Sequence, residues 1–275
     1  MSEPHTIPRV LAELPDLLRT DRFGRKLRWH SSIGSTNAQA MTWAQEGVPE
    51  GALVGADHQT AGRGRHGRAW SDAPGLNLLF SLVLRPTLPQ DRLGLIPLAA
   101  GLAVAEAIEN HTPLSPSLKW PNDILVDGKK VCGILLEGRL TRSNDSLATM
   151  VLGIGFNINQ TELPADLADK ATSLALETGK LVPRAPLLAD LLVALEKHYD
   201  SLSTDLGVAV LAGFERRMAG LGHTATVAFP LSGESVEGTI LGIAENGALR
   251  LATSEGERLF HSGEVSLQNS VRRVD

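Results

Sequence analysis

A single cysteine, Cys132, in 275 residues rules out an intrachain disulfide and agrees with a reducing compartment. Aromatic residues make up only 4% of the chain, too few for the base-stacking platforms that single-strand binders use. Basic residues are outnumbered, 26 against 31 acidic, for a net charge of −5. That balance argues against a broad positive surface for DNA or RNA, while leaving room for a local basic site. The first residues carry Glu3, Pro4, His5 and Pro8 and no apolar run, so no secretory signal is expected. The longest apolar stretch, 93–108, is broken by Gly94, Pro97, Gly101 and Glu106. It falls short of the roughly 20 residues a membrane span needs. There is no internal repeat and no low-complexity tract. These absences lead to the expectation of a cytoplasmic protein without a membrane segment.

What is present is a hydrophobic share of 43%, enough for a sizeable core in one large domain with a small companion. Residues 9–18 could form a short amphipathic helix, with Pro15 interrupting it. Residues 27–32 read as a strand, followed by a helix capped at Ser35 or Thr36 and ended by Gly47. Residues 53–56 form a short strand. Residues 76–84 are almost wholly apolar, as a strand covered on both faces should be. Residues 93–108 have the periodicity of a buried helix with Pro97 in its first turn. Three strands follow, at 117–120, 124–126 and 131–137, with Asp127-Gly128 as a tight hairpin turn. Residues 148–156 give another strand and 186–199 an amphipathic helix. Beyond Gly220 short strands recur at 227–230, 239–243, 249–252 and 265–267, and Asn246-Gly247 signals a hairpin. The expected fold is α+β: a mixed β-sheet flanked by helices, then a small C-terminal β-barrel. The expected boundaries are a lead-in at 1–26, a main domain at 27–221 and the barrel at 222–275.

Four segments carry chemistry. The most informative is Gln59-Thr60-Ala61-Gly62-Arg63-Gly64-Arg65-His66-Gly67-Arg68-Ala69-Trp70. Glycine lets backbone N–H groups approach a ligand closely, and arginine supplies a fork of donors matched to carboxylate and phosphate. Such a loop suits more than one anion; a solvated basic loop or an RNA contact has the same composition. It lacks the lysine-ended phosphate-loop pattern and a clean dinucleotide fingerprint. The second is Lys119-Trp120-Pro121-Asn122-Asp123, followed by Gly128-Lys129-Lys130-Val131-Cys132-Gly133. It places a lysine at the start of an apolar strand, though an exposed hairpin lysine pair fits equally. The third, Ser35-Thr36-Asn37, is also an ordinary helix cap. The fourth, Gly153-Ile154-Gly155-Phe156-Asn157, ends a strand in small and polar residues.

In this order the four segments resemble the biotin–protein ligase family, over about 27–267. The closing His261-Ser262-Gly263-Glu264-Val265-Ser266-Leu267 is similar to the family's C-terminal β-domain. The resemblance implies a catalytic fold of the class II synthetase and biotin–lipoate ligase kind with an SH3-like barrel. It implies a reaction in which biotin and ATP form biotinyl-adenylate, with Mg²⁺, before biotin passes to a lysine of a biotin carboxyl carrier protein. By the same resemblance, Ser35, Thr36, Asn37, Gln59, Arg63, Gly64, Arg65 and Lys130 hold biotin. Lys130, Arg65 and Arg63 would be catalytic. Arg68, Asn122 and Asp123 fall near the nucleotide, and Gly62, Gly67, Trp70, Gly133 and Asn157 behind these. No metal-ligand spacing is present among the eight histidines. His66 stands where many relatives have arginine, and Cys132 where a small residue is common. Some relatives carry an N-terminal helix-turn-helix domain; 26 residues are too few for one, so no DNA binding is expected. A homodimer is common among similar ligases. The alternatives are a lipoate–protein ligase or octanoyltransferase, whose glycine segment is spelled differently, a nucleic-acid-binding module, and a non-catalytic biotin sensor.

Overall fold

A computed structural model describes residues 11–140, 147–230 and 232–267. Its larger sheet is built from β1 (Leu27–His30), β2 (Leu53–Ala56), β3 (Leu78–Leu84), β4 (Ser117–Lys119), β5 (Asp123–Val126), β6 (Lys129–Leu140) and β7 (Leu147–Phe156). The strand order is β1-β2-β3-β7-β6-β5-β4. Only β1 and β2 run parallel, because helix α2 (Thr36–Gln45) crosses over between them; every other pair is antiparallel.

Side chains alternate across a strand, so each strand of this sheet feeds two different layers. Leu78, Phe80, Leu82 and Leu84 of β3 join Leu152, Ile154 and Phe156 of β7 in the main core. Helices α3 (Leu95–His111) and α5 (Arg184–Thr204) contribute to that same core. Val83 of β3, Val54 of β2 and Val151 of β7 point the other way, into a smaller cluster with Ala40, Trp43 and Ala44 of α2. That division explains the apolar run of β3, interrupted only by Ser81, whose seven residues are all buried. The helical stretch Gln90–His111 that contains α3 is long and apolar enough for a membrane span, but α3 is a core helix here: 12 of its 17 residues are buried. Pro97 lies in its first turn, where a missing N–H does no harm.

Asp127 and Gly128 take φ of 48° and 77°, the two positive values of a type I′ turn, and so join β5 to β6 tightly. The C-terminal residues form a five-stranded antiparallel, SH3-like unit: β8 (Thr224–Phe229), β9 (Glu234–Ile243), β10 (Leu249–Thr253), β11 (Gly256–Phe260) and β12 (Glu264–Leu267). Their order is β11-β10-β9-β8-β12.

Several expectations need correction. Helix α1 is a single turn, Leu14–Leu17, and Pro15 opens it rather than interrupting a longer helix. Residues 1–10 lie outside the described part of the chain. Helices α4 (Leu174–Thr178) and α6 (Val208–Arg216) were not expected. The first is too short to show a period, and the second follows a glycine that takes the left-handed conformation. Strand β11 was missed because it is largely exposed and rich in charge. The Asn246-Gly247 hairpin exists, but only Gly247 has positive φ, 85°. The Gly247 N–H donates to the Ala244 carbonyl at 2.8 Å and the Ala244 N–H to Ala248 at 2.8 Å, which makes a three-residue loop closed by a bulge glycine.

Candidate active site

The sheet face that carries α2 is only half covered. In the uncovered half, Ser81 stands opposite Gly153, Gly153 opposite Leu135, and Gly155 opposite Gly133. Three glycines thus leave this half short of side chains of its own. A cleft of about 240 Å³ opens above it. Glycine is required here by close approach: a Cβ on Gly155 would sit 2.6 Å from the Trp70 ring, and one on Gly153 would collide with Asn37 Oδ1.

The start of α2 forms one wall. Ser35 is the N-cap, its hydroxyl accepting from the Ala38 N–H at 3.5 Å. Thr36 donates its N–H to Gln59 Oε1 at 2.8 Å, and its hydroxyl lies 3.1 Å from the same oxygen. Ser81, buried in the middle of β3, places its hydroxyl 2.8 Å from Thr36 Oγ1 and 2.6 Å from Asn37 Oδ1. Asn37 donates from Nδ2 to Glu137 Oε2 at 2.7 Å. An amide oxygen only accepts, so the Ser81 proton goes to Asn37. Asn37 is thus oriented from both ends, by Ser81 and by the Glu137 carboxylate.

The glycine–arginine segment folds as a narrow hairpin over the cleft. The Trp70 N–H donates to the Gly62 carbonyl at 2.9 Å and the Gly64 N–H to Arg68 at 2.7 Å. At the tip, His66 and Gly67 take φ of 55° and 75°. Arg65 reaches down from this tip, donating to Asn122 Oδ1 at 3.1 Å and to the Gly263 carbonyl at 3.2 Å. Burial pulls its pKa below the usual arginine value, against the nearby charges of Asp123 and Glu264; the group stays cationic. Arg68 pairs with Glu264 at 2.7 Å, and Arg63 lies 3.7 Å from Glu137.

Lys130 sits where β6 begins. Its ammonium is 2.6 Å from Asp123 and 5.6 Å from the centre of the Trp70 ring. Its backbone is clamped: the Lys130 N–H donates to Lys170 and the Thr172 N–H donates to the Lys130 carbonyl, each at 2.9 Å. Asn157 lies behind, donating Nδ2 to the Thr172 carbonyl at 3.0 Å, and does not line the cleft. Cys132, one residue before Gly133, faces the core on the opposite side. Burial pushes its thiol far above the range in which a thiolate forms, so it is an inert packing group.

The structure brings Ser35, Thr36, Asn37, Gln59, Arg63, Gly64, Arg65, Arg68, Trp70, Asn122, Asp123, Lys130 and Gly133 around this one cleft. Gly62, Gly67 and Asn157 do not line it: Gly62 packs under Trp70 and Gly67 shapes the loop tip. Trp70 and Gly133, expected behind the binding residues, stand in the wall itself, with Trp70 half-buried. Ser81, Glu137 and Glu264 were missed. A lone serine inside the apolar run of β3 was the one available signal. Glu137 and Glu264 had none, because their partners are distant in the chain. Gly153 and Gly155 were noticed as a strand end, but their spacing of two, which strips one face, was not used.

Two family models match: the biotin/lipoate A/B protein ligase family over residues 29–157 and the biotin protein ligase C terminal domain over 226–268. The bifunctional ligase/repressor BirA of Bacillus subtilis is 37% identical over 91% of this chain and 76% of its own length. The chain belongs to the biotin–protein ligase family. The biotin--[acetyl-CoA-carboxylase] ligase of Mycobacterium tuberculosis is 33% identical, with 88% of each chain covered. Among solved structures, a biotin protein ligase from Aquifex aeolicus in complex with biotin and ATP superposes with a TM-score of 0.78. That pair is 33% identical, with 90% of this chain and all of that one covered. Both sheets are therefore features of a biotin–protein ligase fold, on which the residues above are arranged.

Proposed function

We propose that this chain joins biotin to ATP in the cleft and then transfers biotin to a lysine of a biotin carboxyl carrier protein. The observation that carries this reading is the convergence of Arg65 and Lys130, from separate elements, on the cleft beside a glycine-rich floor. The flat glycine floor and the oriented polar wall of Thr36, Asn37 and Gln59 suit a compact, uncharged ring system with polar edges. The cationic end of the cleft suits the carboxylate and the phosphate.

In the first step a biotin carboxylate oxygen bonds to the α-phosphorus of ATP while the bond to the β-phosphate oxygen breaks, and pyrophosphate leaves. Two anions must meet, and Lys130, Arg65 and Arg63 reduce their repulsion and stabilise charge growing on the phosphoryl oxygens. Lys130 is held by Asp123 in the resting site, so its ammonium is already in place. Arg68, Asn122 and Asp123 contribute on the nucleotide side. In the second step the neutral acceptor amine bonds to the biotinyl carbonyl carbon, AMP leaves with the bonding electrons, and the amine gives up a proton. The hairpin at 62–69 then shields the mixed anhydride from water.

Among the described residues no three His, Cys, Asp or Glu side chains gather as a metal site. Mg²⁺ would be held by the nucleotide phosphates, with Asp123 and Glu264 the carboxylates that line the cleft. When bound it supplies charge neutralisation of those phosphates. The division at 27–221 and 222–275, a cytoplasmic location and a homodimer through a sheet edge complete the proposal.

Biotin-dependent exchange of labelled pyrophosphate into ATP tests the first step, and labelling of a carrier domain in biotin-supplied against lipoate-supplied reactions tests the second. Exchange that proceeds without biotin, or labelling with lipoate alone, overturns the assignment.

A further inference from the structure

The base of the loop is tied by a side chain that never touches the cleft. Asp72 stands two residues after Trp70, and its side chain is fully buried. One carboxylate oxygen lies 2.8 Å from His58 Nδ1, and the other accepts the Gln59 N–H at 3.2 Å. A carboxylate only accepts, so His58 must carry its hydrogen on Nδ1. A buried carboxylate is expensive to keep unless it is paired and hydrogen-bonded. Here both oxygens are spent on closing the excursion that runs from His58 to Asp72. The same base is held on its far side by the backbone: the Ile33 N–H donates to His58 at 3.0 Å and the Thr60 N–H to Ile33 at 2.9 Å. Gln59 is thereby gripped along its main chain, while its side-chain oxygen is aimed at Thr36.

We infer that Asp72 is a positioning residue for biotin capture: by bridging His58 and Gln59 it sets the width of the loop base, and with it the placement of the Gln59 amide and the Trp70 ring before ligand arrives. This rests on the ligase reading. The charged reacting groups are anchored elsewhere, Arg65 on Asn122 and Gly263 and Lys130 on Asp123. Loss of the bridge therefore adds an ordering cost to binding and leaves the chemical step largely alone.

The test is steady-state pyrophosphate exchange by the full chain, with biotin and ATP varied separately. Asp72→Ala leaves the Gln59 N–H without its acceptor and is expected to raise the KM for biotin about tenfold or more. The kcat is expected to stay within about threefold, since only ordering is lost. Asp72→Asn can accept from Gln59 and donate to the other His58 tautomer, so it should restore a KM within about threefold of wild type. A wild-type biotin KM in Asp72→Ala overturns the inference. So does an Asp72→Asn variant as impaired as the alanine, or a kcat that falls as far as KM rises. If the alanine variant does not fold, His58→Leu against His58→Asn decides: a raised KM in the first and recovery in the second support the bridge, and a wild-type KM in His58→Leu overturns it. A wild-type chain without biotin-dependent exchange overturns the ligase reading itself, whereas an active wild type with an indifferent Asp72 removes only the bridge.

Discussion

Two halves of one sheet face are built from the same strands and do opposite things. Under α2, β2, β3 and β7 present Val54, Val83 and Val151, which close against Ala40, Trp43 and Ala44. A few residues along, β3 and β7 present Ser81, Gly153 and Gly155, and β6 adds Gly133; there Asn37 and Trp70 lie on the sheet and the cleft opens between them. The backbone ladder is continuous through both halves. The difference lies in side chains alone: valines bury apolar area against a helix, while glycines let Asn37 and the Trp70 ring pack directly on the sheet and line the cleft. A ligase needs both, since the valine half holds α2 rigid and α2 delivers Thr36 and Asn37 to the glycine half.

The strongest way to break this contrast is at the charged rim of the open half. Lys130→Ala is expected to slow pyrophosphate exchange by about a hundredfold or more, through loss of charge stabilisation in the phosphoryl step. Its thermal midpoint should move little, because Lys130 is a third exposed. An exchange rate near wild type removes Lys130 from its role. The next largest effect is expected from Gly155→Val, which makes the open half resemble the closed one. Its side chain overlaps the Trp70 ring, so biotin binding measured by calorimetry should weaken about a hundredfold, at the upper end of what a single overpacked contact costs.

The converse change, Val151→Ala under α2, is expected to cost about 2 kcal/mol in denaturant unfolding, with the biotin KM altered only modestly. If catalysis collapses instead, the two halves are not separable. The smallest effect concerns neither half. Glu106 of α3 lies 2.8 Å from His198 of α5. Burial alone would raise its carboxyl, but the hydrogen bond to and charge of His198 outweigh this and hold it below the ordinary glutamate range. A carboxylate with a depressed folded pKa adds stability that is fully present above its unfolded pKa of about 4.3 and is lost as pH falls below it. Acid unfolding curves should show that loss, and Glu106→Gln should flatten it. An unchanged slope in the glutamine variant excludes the pair as its source.

Much of the fold was legible because its signals are local. The apolar run of β3, the Asp127-Gly128 turn and the Leu-rich face of α5 each lie within one short window. Strand β11 and helix α4 were not, since an exposed charged strand and a five-residue helix lack a period to read; α6 has one, burying Val210, Gly213 and Phe214, but in only nine residues it was passed over. At the site, the arginine loop stood out by its composition, while Lys130 was singled out from its hairpin neighbours only by the resemblance to the family. Ser81, Glu137 and Asp72 could not, because what each does depends on a partner brought from another strand or from the far end of the loop.

Sequence alone therefore determined which residue types were available: glycines free of side chains, fixed cations, and an apolar pattern that commits the chain to a mixed sheet with helices. Tertiary structure decided which of them meet. Register set Gly155 beside Gly133 and Ser81 beside Gly153, and the turn at the tip of the loop carried Arg65 across to Asn122 and Gly263. Hydrogen bonds and ion pairs act over a few ångströms in space, and nothing in the linear order of a chain measures that distance.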